Sequence, residues 1–252
     1  MWLAPSRSSS PTRRSLLSPA DGTVEAHGLS EAVALDAPGA ARSATAVLSR
    51  VLDVVVAAAL LVLLVPIFLA VALAIKLDSP GPVLFRQLRV GFGMRRFTVN
   101  KFRTMRADAR DAPHHDYVIG LITADAEAVE GSRPPLFKLA DDDRITAVGR
   151  FLRRWSIDEL PQLFNVLTGE MSLVGPRPAI PYEVDHYERH WYRRFSVKPG
   201  MTGLWQVSGR NELTFRDMVA LDIVYAETWC LRLNLRILAR TAWVVVVGRG
   251  AG

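Results

Sequence analysis

The chain has 252 residues, of which 50% are hydrophobic, and it carries 31 Lys and Arg against 25 Asp and Glu. This length fits one domain of ordinary size with additional segments. The net charge of +6 is compatible with anionic lipid, phosphate ligands or nucleic acid and does not choose among them. The single cysteine, Cys230, excludes an intrachain disulfide and a cysteine-based zinc cluster, and it agrees with a reducing compartment.

Residues 1–45 are predicted to form a disordered tail. The stretch Ser6–Ser18 mixes Ser, Arg and Pro, and Asp21–Ala41 is rich in Ala and Gly. Such segments bury too little apolar surface to offset the entropy lost on folding. A signal peptide would carry its apolar core near the start, whereas the apolar run here begins at Val54, so cleavage is not expected.

Residues 46–77 are predicted to form a membrane helix, because Val54–Ile75 contains no charged residue. As an α-helix this run would be about 33 Å long, enough to cross a hydrocarbon core of about 30 Å. A helix buried in a soluble core is the alternative, although such helices rarely stay apolar on every face. Pro66 lies near the middle and should kink the helix. A kink permits a re-entrant helix that returns to the same membrane face, and a kinked spanning helix is equally consistent.

Residues 78–252 are predicted to form a body on the cytoplasmic face of the membrane. Basic residues follow the apolar run closely, and such residues favour the cytoplasmic side in either topology. They are Arg86, Arg89, Arg95, Arg96, Lys101 and Arg103.

A short β-hairpin is predicted just after the membrane segment. The turn cluster Asp78–Pro82 should end the helix, and Val83–Phe85 and Arg96–Val99 should pair around Gly91–Gly93. The glycines do not form a dinucleotide fingerprint and no Walker sequence occurs, so both classes of nucleotide site are disfavoured. From Ala107 to Asp143 the chain is predicted to be a solvated loop.

Two adjacent acids, Asp158 and Glu159, are the strongest candidates for chemistry. Ser156 and Glu159 have the spacing of a capping box, which predicts a helix from Ser156 to about Leu167, closed by Gly169. Glu159 then either caps its own helix or takes part in catalysis. A helix N-terminus favours a bound phosphate and lowers the pKa of carboxylates in its first turn, so Asp158 would be ionised and nucleophilic at neutral pH.

Arg177 lies between two prolines in Gly175–Pro178. The prolines hold the backbone extended and would present the guanidinium group for bidentate contact with phosphate. A surface loop stiffened for stability is the alternative.

A second membrane-associated helix is predicted over Leu231–Val247. Its arginines recur every fourth residue beside Leu and Trp, which is typical of a helix lying in the membrane interface. A solvated face of an ordinary amphipathic helix is the alternative. The arginines are Arg232, Arg236 and Arg240.

In combination, these motifs resemble the bacterial sugar transferase family, the monotopic phosphoglycosyl transferases that begin glycoconjugate assembly on a polyprenyl phosphate. The resemblance runs from about Ser49 to the C-terminus. It implies a mainly α fold with a short β-hairpin: a kinked, re-entrant N-terminal membrane helix, interfacial amphipathic helices and a cytosolic catalytic body. The matching motifs are Asp53, Pro66, Lys76–Pro82, Phe85–Gln87, Arg89–Gly91, Lys101–Met105, Asp158–Gln162, Gly175–Pro178, Pro199–Gly200 and Thr202–Gly203.

The resemblance also implies a reaction. Asp158 would attack the sugar-bearing phosphate of a UDP-sugar, form a covalent phosphosugar intermediate and release UMP, and undecaprenyl phosphate would then accept the sugar phosphate. Glu159 would help to hold Mg²⁺, the one cofactor expected, and Asp222 is added as a further catalytic carboxylate. The residues expected to bind and neutralise phosphate are Lys101, Arg103, Arg153 and Arg177.

The expected partners are the UDP-sugar, undecaprenyl phosphate and membrane lipids; nucleic acid is not expected, because no recognition motif is present. The alternative function is a non-enzymatic, membrane-anchored basic adaptor. An adaptor explains the apolar run and the arginine excess but gives no reason for Asp158-Glu159 together with Gly175–Pro178. Asn234 stands where the family usually carries Asp, so that carboxylate is missing from the C-terminal helix.

Overall fold

The structure is a computed structural model, and it describes residues 40–106, 120, 122, 144–208 and 213–247, except for the side chains of residues 40–43 and 245–247. Residues 1–39 of the predicted tail, and the predicted loop 107–143 apart from Gly120 and Ile122, lie outside the described residues.

Within the described residues the chain is mostly helical, with two small sheets. The predicted mainly α fold with a short hairpin is therefore confirmed, and the second sheet was not predicted. The helices are α1 (Ala40–Leu63), α2 (Val65–Asp78), α3 (Ala147–Arg154), α4 (Gln162–Thr168), α5 (Pro181–Val184), α6 (Phe215–Thr228) and α7 (Leu231–Val247). The strands are β1 (Leu84–Val90), β2 (Arg96–Phe102), β3 (Ser172–Val174) and β4 (Gly200–Thr202).

The apolar run forms two helices, α1 and α2, which meet at Leu64. Pro66 occupies the first turn of α2, where its missing N–H costs no helical hydrogen bond. By length and composition, the segment Ala44–Leu63 of α1 is long and apolar enough to cross a membrane. The helix α2 ends at Asp78, where the turn cluster was predicted to end it.

One face of α1 packs on the rest of the folded unit. Ser49, Asp53 and Ala57 are buried and lie four residues apart, so they share that face. Arg50 donates through Nη1 to the Val166 carbonyl at 2.6 Å, in the last turn of α4. The Asp53 carboxylate accepts a hydrogen bond from the Leu173 N–H at 3.0 Å. These buried polar contacts fix the first half of α1.

The last turns of α2 pack on the same unit. Val71 and Ile75 are buried in a cluster with Phe102 and Leu152. Between the two packed ends the junction of α1 and α2 is apolar and open, since 76% of Val62, 70% of Leu63 and 67% of Leu69 are exposed. The junction is therefore an apolar surface that the described part of the fold leaves uncovered.

The predicted hairpin is confirmed, with β1 and β2 paired antiparallel from Leu84 opposite Phe102 to Val90 opposite Arg96. A single 3-10 turn, Phe92–Met94, connects the strands, and Gly93 adopts φ 60° there, a backbone conformation that glycine tolerates best. The pairing fixes β2, which carries Lys101, against the turn that bears Asp158 and Glu159.

The second sheet pairs β3 and β4 in parallel, Ser172 with Gly200 and Val174 with Thr202. It depends on a close approach of two glycines, because a Cβ atom on Gly200 would lie 2.0 Å from the nitrogen of Gly175. The Gly-Pro-Arg-Pro motif and the Pro-Gly motif therefore pack on one another. Three-residue strands are too short to show an alternating pattern, which is why the sequence did not reveal this sheet.

Candidate active site

A left-handed turn separates α3 from the two acids. Ser156 adopts φ 54° and ψ 23°, which is unfavourable for a residue with a Cβ atom. The chain then forms a 3-10 turn over Ile157–Glu159, and α4 begins at Gln162. The prediction of one helix from Ser156 is therefore wrong at its start, whereas its end at Gly169, in the left-handed region at φ 85°, is confirmed.

Glu159 does not cap a helix. No side-chain capping bond is made at Ser156, and the Glu159 carboxylate instead forms an ion pair with Lys101 of β2, with Oε1 and Nζ 2.8 Å apart. Both side chains are half-buried. Glu159 was expected either to cap its own helix or to take part in catalysis. The structure excludes the capping box and places Glu159 in a cluster of charged residues.

Asp158 lies half-buried beside this ion pair. Burial is the main cause that raises its pKa to about 6, the adjacent Glu159 carboxylate raises it further, and Lys101 and Arg153 act in the opposite direction. The predicted lowering by a helix N-terminus is therefore wrong, because that helix does not start at Ser156. A carboxylate of this pKa is still mostly ionised at pH 7, and it is more basic, hence more nucleophilic, than an ordinary aspartate.

Two of the predicted phosphate-binding residues flank the acids. Lys101 and Arg153 are close enough to stabilise the charged form of Asp158. Arg153, in the last turn of α3, also donates through Nε to the Thr104 hydroxyl at 2.9 Å. The structure thus brings together Asp158, Glu159, Lys101 and Arg153, from three separate segments.

Arg103 has different surroundings. It is buried, with 5% of the residue exposed, and its guanidinium group donates to the carbonyls of Pro80 and of Ser79, the latter at 2.7 Å. In this structure Arg103 fixes the chain just after α2. Phosphate binding by Arg103 stays a prediction.

Arg177 lies partly exposed above a buried cluster of charges. Its Nη1 is 3.2 Å from Oε1 of Glu183, which is fully buried. Arg194 and Asp222 form a buried ion pair, and Arg194 also donates to the main-chain carbonyl of Arg177 at 3.0 Å. Asp222 therefore lies beside the segment Gly175–Pro178, which we call the Arg177 loop. The catalytic role of Asp222 stays a prediction.

Sequence reasoning gave no role to Arg89, Glu183 or Arg194. Arg89 belongs to a matching motif and to the basic residues after the apolar run, but it is buried and donates to the Pro178 carbonyl at 2.9 Å. A signal for Glu183 was present: it lies three residues after Ile180, with Pro181 opening α5, and its carboxylate accepts the Ile180 N–H at 3.0 Å. No local pattern marks Arg194, because its partners come from distant segments.

The donor set at the two acids fits Mg²⁺. No group of three His, Cys, Asp or Glu side chains that could hold a metal occurs within the described residues. Mg²⁺ needs no such cluster, since it is commonly held by one or two carboxylates, waters and the substrate phosphates. Glu159 and Asp158 are adjacent carboxylates whose mutual repulsion helps to raise the pKa of Asp158, and a cation would relieve that repulsion.

The class of protein is defined by comparison with known families. The model of the bacterial sugar transferase family matches residues 44–248, and the chain belongs to this family.

Relatives of known name cover most of this chain. The "UDP-glucose:undecaprenyl-phosphate glucose-1-phosphate transferase" of Caulobacter vibrioides is 46% identical over 202 residues, which are 76% of this chain and 67% of the relative. The "Galactosyl transferase CpsE" of Streptococcus agalactiae serotype III is 46% identical over 176 residues, 68% of this chain and 36% of the relative.

A relative of similar length is the "Exopolysaccharide production protein ExoY" of Sinorhizobium fredii, 37% identical over 213 residues, 84% of this chain and 92% of the relative. In contrast, the chain spans less than half of the streptococcal relative.

Proposed function

We propose that the protein transfers a sugar phosphate from a UDP-sugar to undecaprenyl phosphate through a covalent intermediate on Asp158. The observation that carries this proposal is the half-buried pair Asp158 and Glu159 held against Lys101 and Arg153. Such a site offers an anionic nucleophile together with cations that can neutralise phosphate oxygens. The Caulobacter relative is named for both UDP-glucose and undecaprenyl phosphate, which supports the choice of substrates.

In the first step a carboxylate oxygen of Asp158 attacks the phosphorus that bears the sugar. The bond from this phosphorus to the bridging oxygen breaks, and UMP leaves with the electron pair. The product is an acyl phosphate between Asp158 and the sugar phosphate. Lys101 and Arg153 stabilise the charge that moves onto the phosphate oxygens.

In the second step a phosphate oxygen of undecaprenyl phosphate attacks the same phosphorus. The carboxylate of Asp158 leaves, which restores the enzyme, and the lipid carries the sugar through a diphosphate. Both nucleophiles are anions, so neither step requires a proton transfer. Mg²⁺, held by Glu159, would supply further positive charge for the phosphate oxygens.

The two apolar helices are proposed to form a re-entrant membrane element. Arg50 and Asp53 attach the first half of α1 to the body, and Asp78 attaches the end of α2 by accepting the Val148 N–H at 3.2 Å. Because both ends contact one folded unit, a helix that crosses the bilayer and ends on the far side would have to break one of these attachments. The basic residues after α2 support a cytoplasmic position for the body, because such residues favour that side of the membrane.

Release of UMP from a panel of UDP-sugars by purified protein in detergent tests the function. We expect release that requires Mg²⁺ and continues only when undecaprenyl phosphate is added, because the covalent intermediate otherwise accumulates after one turnover. Intact-mass spectrometry of protein with the donor alone should show the addition of one sugar phosphate.

Asp158→Asn should abolish both the UMP release and the mass increase. The matched control is Asp185→Asn, the same change at an exposed acid, which should keep wild-type activity. Normal turnover by Asp158→Asn would refute the covalent step. Absence of release from every donor by folded wild-type protein would favour the membrane-anchored adaptor.

A further inference from the structure

Arg177 and four buried charged residues pack together, and we call these five residues the buried charge network. Glu183, Arg194, Asp222 and Arg89 are all buried, and Glu183 is fully inaccessible. Arg177 is the member that reaches the surface, with 22% of its side chain exposed. Charges are costly to bury unless they are paired and hydrogen-bonded. Packing alone therefore does not account for this network.

The network holds the main chain of the loop. Arg194 donates to the carbonyl of Arg177 at 3.0 Å, and Arg89 donates to the carbonyl of Pro178 at 2.9 Å. Two consecutive carbonyls are thus fixed by buried guanidinium groups. The prolines at either side of Arg177 have no N–H to donate. The one main-chain N–H of the Arg177-Pro178 segment is that of Arg177, which acts on the Asp222 carboxylate as a hydrogen-bond donor.

Glu183 holds the side chain of Arg177. The Arg177 Nη1 lies 3.2 Å from Oε1 and 3.3 Å from Oε2 of this carboxylate. Glu183 is itself fixed, because Oε2 accepts the Ile180 N–H at 3.0 Å. A guanidinium group is planar with its donors at fixed angles, so two contacts from Nη1 to an immobile carboxylate restrict the orientation of the whole group.

The charge on Glu183 is maintained despite its burial. Burial alone would raise the pKa of this carboxyl, but the nearby Arg177 and Arg89 guanidinium groups outweigh that effect and hold the pKa below its ordinary value. Glu183 is therefore ionised at neutral pH and forms charge-assisted hydrogen bonds with Arg177.

We propose that Glu183 is a positioning residue, which acts through Arg177 to aim its guanidinium group at a substrate phosphate. The inference rests on the proposed function, because it assigns a role in that reaction. Glu183 itself touches no substrate. Positioning of this kind lowers the barrier by fixing a charged group before the reaction begins, so that no energy is spent on ordering it in the transition state.

A double-mutant cycle separates positioning from a merely structural role. The variants are Glu183→Gln, Arg177→Ala and the double mutant, and the readout is kcat/KM for the UDP-sugar. We expect Glu183→Gln alone to lower kcat/KM about 10-fold or more, and to have less than about a 2-fold effect when Arg177 is already Ala. An equal loss in both backgrounds would overturn the proposal.

The matched control is Glu227→Gln, the same substitution at an exposed carboxylate that pairs with Arg193 at 3.1 Å. This variant should keep wild-type kcat/KM. Thermal unfolding of each variant identifies any loss of activity that is caused by misfolding. Misfolding would lower kcat/KM equally in the wild-type and the Arg177→Ala backgrounds, and that result would count against positioning.

A second measurement does not depend on activity. In protein labelled with ¹⁵N-arginine, the side-chain Nε–H signal of Arg177 is identified by its loss in Arg177→Ala. Glu183→Gln should shift and broaden this signal, because the guanidinium group loses its anchor, whereas Glu227→Gln should leave it in place. An unchanged Arg177 signal in Glu183→Gln would overturn the proposal. If the wild-type protein released no UMP, the proposed function would fail, and this signal alone would decide whether Glu183 orients Arg177.

Discussion

At the scale of single residues, neighbouring basic side chains of similar sequence context have different contacts. Lys101 and Arg103 are two positions apart at the end of β2, and the sequence assigned both to phosphate binding. Lys101 pairs with the partly exposed Glu159, whereas the buried Arg103 donates to carbonyls after α2. Residue type and spacing cannot separate these roles, because the separation depends on which distant segment each side chain meets.

This difference predicts opposite effects for the same substitution. Lys101→Met should lower kcat about 100-fold and change the free energy of unfolding by no more than about 1 kcal/mol, since the ion pair is partly solvated. Arg103→Met should destabilise the protein by about 3 kcal/mol, because the carbonyls of Ser79 and Pro80 lose their charged donor.

Steady-state kinetics and thermal unfolding in detergent, measured on both variants, check the contrast. Each variant serves as the other's control. A stable Arg103→Met protein with weakened binding of the UDP-sugar would instead assign Arg103 to the phosphate site.

At the scale of elements, the strongest predictions came from patterns that one segment carries alone. The hairpin was predicted from two β-type strings around Gly91–Gly93 and is present, although its strands are longer than those strings, so that Phe85 lies opposite Lys101 and Val99 opposite Gln87. The start of α4 was predicted wrongly, because the left-handed conformation of Ser156 is not favoured by its local sequence. Tertiary contacts of the following acids with β2 outweighed the helical preference there.

The parallel sheet of β3 and β4 gives a testable expectation at this scale. A Cβ atom on Gly175 would lie 2.3 Å from the Lys198 carbonyl oxygen, which is backbone and cannot easily move. Gly175→Ala should therefore cost about 1–3 kcal/mol or more of stability and displace the Arg177 loop, lowering activity further than stability alone explains.

The control for this substitution is Gly120→Ala, because a Cβ atom there meets nothing within 4 Å. Unfolding midpoints and UMP release report on the two effects separately. If Gly175→Ala retained both at wild-type levels, the close approach of β3 and β4 would not be required for the site.

At the scale of the whole molecule, the body holds both ends of an apolar pair of helices. The helix α1 contributes Ala57 to the main core, together with Val99 of β2, Leu163 of α4 and Ile237 of α7. The apolar helix α1 is thus part of the folded unit rather than a separate segment. In the proposed membrane arrangement, the bilayer would cover the exposed junction of α1 and α2, which includes Val62.

Cysteine labelling tests the re-entrant arrangement. With Cys230 replaced by Ser, single cysteines at the exposed positions Ala46 and Leu77 should both react with a membrane-impermeant maleimide from the cytoplasmic side. A cysteine at Val62 should react from neither side. Labelling of Ala46 and Leu77 from opposite faces would establish a spanning helix in place of the re-entrant one.

The sequence by itself determined the features that short-range chemistry carries. An uncharged run longer than a bilayer core predicts a membrane element, Pro66 predicts its break, and adjacent acids near basic residues predict a phosphate-handling site. These follow from composition and spacing within one segment, so no knowledge of the fold was needed.

Only the tertiary structure decided which of those residues act together. It paired Glu159 with Lys101 from β2, bonded Arg103 to the Ser79 carbonyl after α2, and paired Glu183 with Arg177. It also reversed the expected direction of the pKa of Asp158, since burial and a like-charged neighbour dominate there. Burial and contacts between distant segments determine these pairings and the pKa of Asp158, and neither can be inferred from the local sequence.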